Sequence, residues 1–364
     1  MDETEFRILD ALTSNLGRDI SINELTNEIK SLFGTAFYKN IYDKVKQLEE
    51  KGFLKLFPAG NTLLVRLNFD NFLLTDLLSE MELKKKKDFL DRKTNLQTLF
   101  LELQEWQGFY LIESILLINP KKNAKLNRLE LVFLLRNLPP ITKNGESLDA
   151  TIANTYSGEI DAIFSAIKTL EKLHNIKIDA LILKQDEFFE LLKQEETNPL
   201  KEMLSNKIVF FGAENFWIRI KIALKNGIKI IMLPETNLAK ISEKQLFFNL
   251  NRFGYTEFGL MTTKEPPMCF ESAIASIFLQ NNARRLEAIP IILSKNNCNY
   301  RLLIFLCKKY DLLGKLLGLL KILNSIKSDK ELIEAISWIE LIGAVETKFD
   351  KKAIVQKLRL YNAH

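Results

Sequence analysis

The 364 residues carry 51 Lys and Arg against 46 Asp and Glu, a formal charge of +5, and nearly half of them are apolar. That length allows two or three domains with sizeable cores; no apolar run of roughly 18 residues is free of charge, so no membrane helix is expected. Only two histidines and three cysteines without metal-ligand spacing argue against a zinc site or a histidine-based triad and suit a reducing cytoplasm. The acidic start MDETEFRILD lacks the basic, then apolar, pattern of a secretory leader, so a cytoplasmic location is expected. Charge is uneven: residues 1–92 sum to about −2, 93–199 to about −3 and 200–364 to about +10, which makes the last part the most attractive to phosphate-bearing partners.

In chain order, Phe6, Leu9, Leu12 and Leu16 predict an amphipathic helix over residues 3–16. Ser21 with Glu24 forms a capping box opening a second helix, with Leu25, Ile29 and Leu32 turned inward. Gly34 breaks it, and Thr35 is placed to cap a third helix whose buried stripe is Phe37, Ile41, Val45 and Leu48. Gly52 ends that helix. FLKLF-PAGN-TLLVRLNF then reads as two alternating strands around a Pro–Gly turn, a hairpin. Residues 70–106 read as one long linker helix with the run KKKK at Lys84 to Lys87, a solvated face or a phosphate contact. Its apolar stripe outlasts what a small domain covers, so it is a candidate homodimer surface.

From Phe109 the pattern changes. FYLIESILLIN and LELVFLLRN suit buried strands, with the polar turn PKKNAKLNR between them. SGEIDAIFSAIKTLEKLHN is a helix, IKIDALILK a strand, and DEFFELLKQ a short helix. Asn198-Pro199 starts another helix, KIVFFG is a strand, and AENFWIRIKIALKN a helix closed by Gly227. After Pro266-Pro267 the chain is almost wholly helical and basic. The expected class is a helix-rich α+β multidomain chain: residues 1–69, a linker over 70–106, an α/β domain over 107–236, and a C-terminal helical bundle over 237–364.

Residues 21–69 resemble the winged helix-turn-helix DNA-binding domains of archaeal and bacterial regulators. The resemblance implies that the third helix enters the major groove of double-stranded DNA and the wing touches the backbone. By position Thr35, Tyr38, Lys39, Tyr42, Lys44 and Lys46 face outward, and Asn61 and Arg66 stand on or near the wing. Residues 30–66 sum to about +4. Tyr38 and Tyr42 are candidates for base contacts, and Lys39, Lys44 and Lys46 for phosphates. The absence of Arg from the presumed reading helix leaves open a winged helix used only for protein contacts.

Residues 109–225 are similar to the nucleotidyltransferase superfamily, through SILLINPKKNAKLNRLELVFLL, KIDALILKQDEF and NPLKEMLSNKIVFFG. The resemblance implies a Gly-Ser turn that cradles triphosphate and three carboxylates that hold divalent metal. Here Asn119-Pro120 stand in place of Gly-Ser, and Arg128 in place of the first carboxylate. Glu130 and Asp179 match the other two. Pro120 removes a backbone N–H, Arg128 repels magnesium, and two carboxylates do not rebuild a two-metal clamp. The expectation is therefore a catalytically degenerate nucleotidyltransferase-like domain with no metal and no cofactor. An active enzyme of toxin–antitoxin type acting through Glu130 and Asp179, or some other α/β fold, stays open.

NNARRLEAIPIILSKN and the helices after it are similar to the helical part of archaeal regulators and of type IV antitoxin-like proteins. Arg284, Arg285, Lys295, Lys308 and Lys309 are the candidate secondary phosphate patch, with a solvated bundle face as the alternative. Trp217 and Trp338 are expected in the core, and His174 at a helix end capping carbonyls. The chain thus reads as a DNA-binding transcriptional regulator. An active nucleotidyltransferase and a protein-binding scaffold are the alternatives.

Overall fold

The computed structural model describes residues 1–120, 127–137, 148–233, 235–260 and 264–362, the side chains of 148–154 excepted. Most of the polar turn expected after Pro120 lies outside them. Helix α1 (Glu3–Thr13) opens on a capping box formed by Asp2 and Glu5, and α2 (Ile22–Phe33) on the one expected from Ser21 and Glu24. Helix α3 (Tyr38–Glu50) follows, then strands β2 (Leu54–Ala59) and β3 (Thr62–Leu67). β3 pairs antiparallel with β2 and with the short β1 (Ile20–Ser21), giving a three-stranded sheet ordered β1-β3-β2. Leu9, Leu12, Leu25, Ile29, Ile41, Val45, Leu48 and Val65 are buried together.

Two members of the expected stripes are not. Phe37 is 71% exposed and Leu32 is 41% exposed. Phe37 precedes the helix in extended backbone, so its side chain leaves the α3 stripe; it also takes the N-cap position expected of Thr35, with no side-chain cap bond. Helix α1 ends at Thr13 rather than at residue 16, and Leu16 is buried from the loop instead.

The expected single linker helix is broken. Helix α4 (Leu74–Arg92) stops at Lys93, a short 3-10 turn follows, and α5 (Gln97–Phe109) starts anew. The bend lets Phe89 and Phe100 both close on Phe210. Nor does α4 stand free. Lys84 and Lys85 reach Glu3 at 2.6 Å and Asp10 at 2.8 Å on α1. On its other side the fully buried Glu82 accepts the Val209 N–H at 2.8 Å.

Four strands form the second sheet: β4 (Ile112–Ile118), β5 (Arg128–Leu135), β6 (Lys177–Leu183) and β7 (Lys207–Phe211), ordered β6-β5-β4-β7. β5 and β6 are parallel and the other pairings antiparallel. The long α6 (Leu148–His174) makes the crossover that a parallel pair requires. Helices α7 (Gln185–Lys193), α8 (Pro199–Leu204) and α9 (Ala213–Lys225) complete this part. The strands alternate between two cores. Leu129, Leu131 and Phe133 face α5, α6 and the C-terminal helices, whereas Val132 and Leu134 share a core with α1 to α4 and α7 to α9. Both cores run across the residue numbers where domain boundaries were expected.

Beyond lie α10 (Glu243–Arg252), α11 (Phe270–Gln280), α12 (Ala283–Leu286), α13 (Ala288–Lys295), α14 (Tyr300–Lys309), α15 (Leu313–Asn324), α16 (Lys330–Ile342) and α17 (Lys351–Leu360). The class is helix-rich α+β with two small sheets. Among the described residues no helix is long and apolar enough to cross a membrane.

Candidate functional site

The outward face of α3 begins with a turn of exposed residues. Thr35, Phe37, Tyr38, Lys39 and Asn40 are all exposed, and no other described residue covers them. The Tyr38 and Tyr42 rings stack at 6.0 Å, one helical turn apart. Asn61 is exposed beside Gly60, whose φ of +60° makes the tight hairpin tip. Asn40 escaped the sequence reading, although an amide in the first turn of such a helix is a standard base-reading side chain.

Most of the charge on this unit is already spoken for. Lys44 is corrected outright: it turns toward α1, 2.7 Å from Asp2 and 3.8 Å from Glu5. Its hydrogen bond to Asp2 raises the ammonium above its ordinary value. Lys46 stands 2.9 Å from Glu49, which raises it likewise. Arg66 lies 3.0 Å from Asp19, with its guanidinium carbon 4.4 Å from the centre of the Phe57 ring. Lys55 pairs with Asp70, and Lys51 with Glu5 at 3.3 Å. Of the cations over residues 30–66, Lys30 and Lys39 alone make no ion pair with a described residue. The excess of basic residues counted along the sequence is therefore not free positive charge.

The parallel pairing sets Glu130 beside Asp179 and Arg128 beside Lys177, at the Arg128 end of the sheet. Glu130 and Asp179 thus come together as the nucleotidyltransferase likeness implies, and both are buried. Their surroundings differ from a metal site. Arg128 Nε lies 2.8 Å from Asp179. Its terminal nitrogen donates to the Lys308 carbonyl at 2.9 Å and to Asp311 at 3.1 Å. Lys309 Nζ bridges Glu130 at 2.8 Å and Glu235 at 2.9 Å, and Lys308 meets Glu171 at 2.8 Å. Burial pushes the Asp179 carboxyl up to about 6, against the opposing pull of Arg128. Burial works against the Lys309 ammonium, yet Glu130 and Glu235 hold it above its ordinary value.

The end of α14 thus lays an ammonium between two carboxylates, where the nucleotidyltransferase likeness places divalent metal. A cation entering here has to displace Lys309 and compete with Arg128. Lys309 also borders a cavity of about 20 Å³ lined by Asn119, Glu202 and Glu235 but not by Glu130 or Asp179, about one water in size. Asn119, at φ +46°, accepts from the Asn206 side chain at 3.1 Å and donates its N–H to the Asn206 carbonyl at 2.9 Å.

The secondary patch does not assemble. Lys308 and Lys309 are consumed by the buried ion pairs just described. Arg284 meets Glu257 at 3.3 Å, Arg285 meets Glu243, and Lys295 lies 5.7 Å from the centre of the Tyr361 ring. His174 does not cap carbonyls; its Nε2 lies 3.0 Å from Glu102. Trp217 is fully buried, and Trp338 is buried with its indole N–H donated to Asp161 at 2.7 Å. No protein-family model, no curated protein and no solved structure matches this chain.

Proposed function

We propose that the chain binds double-stranded DNA through the first turns of α3 and the tip of the β2–β3 hairpin, as a regulator of transcription with a catalytically inactive α/β core. The observation that carries this reading is the exposed turn of Tyr38, Lys39 and Asn40, with the half-buried Tyr42 stacked behind Tyr38, on a helix backed by α1 and α2. Three helices followed by a hairpin, with the third helix presenting its polar face to solvent, is the arrangement that winged helix-turn-helix domains lay in a major groove. Asn40 and the tyrosine hydroxyls supply base-edge contacts, and Lys39, with Lys30, the phosphate contacts.

The test is a mobility-shift titration of the full chain against random duplex from low to physiological salt. Binding that weakens with salt supports the reading, and Lys39→Glu should weaken it at every sequence alike. No shift at the lowest salt removes it.

A second reading is favoured by one specific feature. Leu32, Phe37 and Tyr38 are large, exposed and close in sequence where α2 gives way to α3, apolar surface of the kind that protein partners cover. Loss of a nuclease-resistant protein complex in Phe37→Asp, with duplex binding unchanged, decides for that reading.

A further inference from the structure

The KKKK run of α4 is divided in two by the fold. Lys84 and Lys85 tie α4 to Glu3 and Asp10 of α1. The next two lysines have no such role. Lys86 lays its ammonium 4.0 Å from the centre of the Phe211 ring, and Lys87 is exposed. Neither makes an ion pair with any described residue. Lys86 is partly buried, and burial without a carboxylate lowers its ammonium below the ordinary lysine value.

Both lysines border a groove of about 440 Å³ between α4 and α5, whose rim also carries the exposed Asp91, so that the two lysines leave it net positive. Leu83, Leu90, Phe100, Leu101 and Phe211 supply its apolar lining. Leu83 and Leu101 are each 61% exposed, one on each wall. Leu83 and Leu90 are seven residues apart, which spans about 10 Å along α4. That is the reach of a partner helix presenting anchors at i, i+3 or i+4, and i+7.

The chemistry of the rim selects the occupant. A half-buried lysine on an aromatic face gains most from a carboxylate brought to it out of water. A nucleic-acid backbone satisfies the lysines but leaves the leucines without an apolar partner. A second copy seated through this same face by a twofold axis brings a second Lys86 and Lys87 into the interface and so adds positive charge to it. We infer that the α4–α5 groove docks an amphipathic helix of a protein partner, its apolar stripe on Leu83, Phe100 and Leu101 and its acidic flank on Lys86 and Lys87.

Two labelled synthetic helices test this against the full chain by fluorescence anisotropy. Both carry the same leucines at i, i+3 and i+7; one is flanked by glutamates and the other by lysines. The acidic helix is expected to bind in the range of about 1–100 μM and the basic one much more weakly. Lys86→Glu/Lys87→Glu should cut the first by about tenfold or more and strengthen the second. Leu83→Glu/Leu101→Glu, at two solvent-facing positions, should abolish both while circular dichroism stays unchanged. Equal binding of the two helices overturns the proposal, as does no binding of the acidic helix up to about 1 mM. Displacement by a random duplex assigns the groove to nucleic acid instead. A dimer in sedimentation that Leu83→Glu/Leu101→Glu dissolves assigns it to a second copy.

Discussion

Removing the carboxylates that hold Lys46, Lys55 and Arg66 is expected to strengthen duplex binding and steepen its salt dependence. On the proposed reading the parent chain meets phosphates through Lys30 and Lys39, whereas Lys46, Lys55 and Arg66 are occupied by Glu49, Asp70 and Asp19. Each phosphate contact contributes about −0.9 to the slope of log K against log salt. Two free cations give a slope near −2, so affinity falls only about 12-fold between 50 and 200 mM salt. In Asp19→Asn/Glu49→Gln/Asp70→Asn five cations are free, the slope approaches about −4.5, and the same salt step costs about 500-fold. All three pairs are at the surface, where ion pairs contribute little to stability, so the variant should fold as the parent does. Fluorescence polarisation with a labelled random duplex at four salt concentrations reads both slopes. Equal slopes for parent and variant would refute the view that these side chains lie along the DNA, and a variant that binds more weakly at low salt would refute it more strongly.

Three further outcomes follow from the buried parts. Lys309→Met leaves Glu130 and Glu235 without their shared cation and should cost about 3–5 kcal/mol in urea unfolding. Adding Glu130→Gln should recover part of it, and a coupling below about 0.5 kcal/mol would show that the bridge is not formed. Asp179 titrates near 6 in the folded chain against an ordinary 3.8. The folded chain therefore holds this proton more tightly than the unfolded one. The stability it contributes is full below about pH 4 and is lost as pH rises through 6, about 3 kcal/mol in all. In Asp179→Asn that part of the pH dependence between 4 and 7 should vanish; an identical parent and variant profile rules it out. Gly17 sits at φ +79° with the Ile230 carbonyl where a Cβ would go, at the contact between the α1–β1 loop and the segment after α9. Gly17→Ala should destabilise by more than about 1 kcal/mol and expose the N-terminal unit to protease; an unchanged unfolding midpoint would contradict this.

Local structure was legible wherever its cause is local. The capping boxes at Asp2 and Ser21, the Asn198–Pro199 helix start and the strand runs over residues 112–118, 128–135 and 177–183 follow from neighbouring residues. A missed break had a visible signal. NNARRLEAIPIILSKN splits between α12 and α13 because Pro290 has no N–H to bond back to Leu286, and its ring crowds that carbonyl. The stop at Lys93 had no such signal, for neither Gly nor Pro stands there. It arises because Leu96, Leu99 and Phe100 turn back onto the core beneath the sheet.

Local pattern therefore settled most of which residues coil and which extend, because those preferences act over one or two turns of chain, but not the break at Lys93 or the exposure of Leu32 and Phe37. Charge is different. Whether a lysine offers its ammonium to a phosphate or spends it on a carboxylate depends on residues far away in sequence. Lys44 meets Asp2, Arg66 meets Asp19, and Lys309 meets Glu130 across 179 positions. The same holds for the groove beside Lys86, which exists only because α4 and α5 bend against β7. Coulombic pairing falls off within a few ångströms, so only the folded chain decides which of these cations remain free.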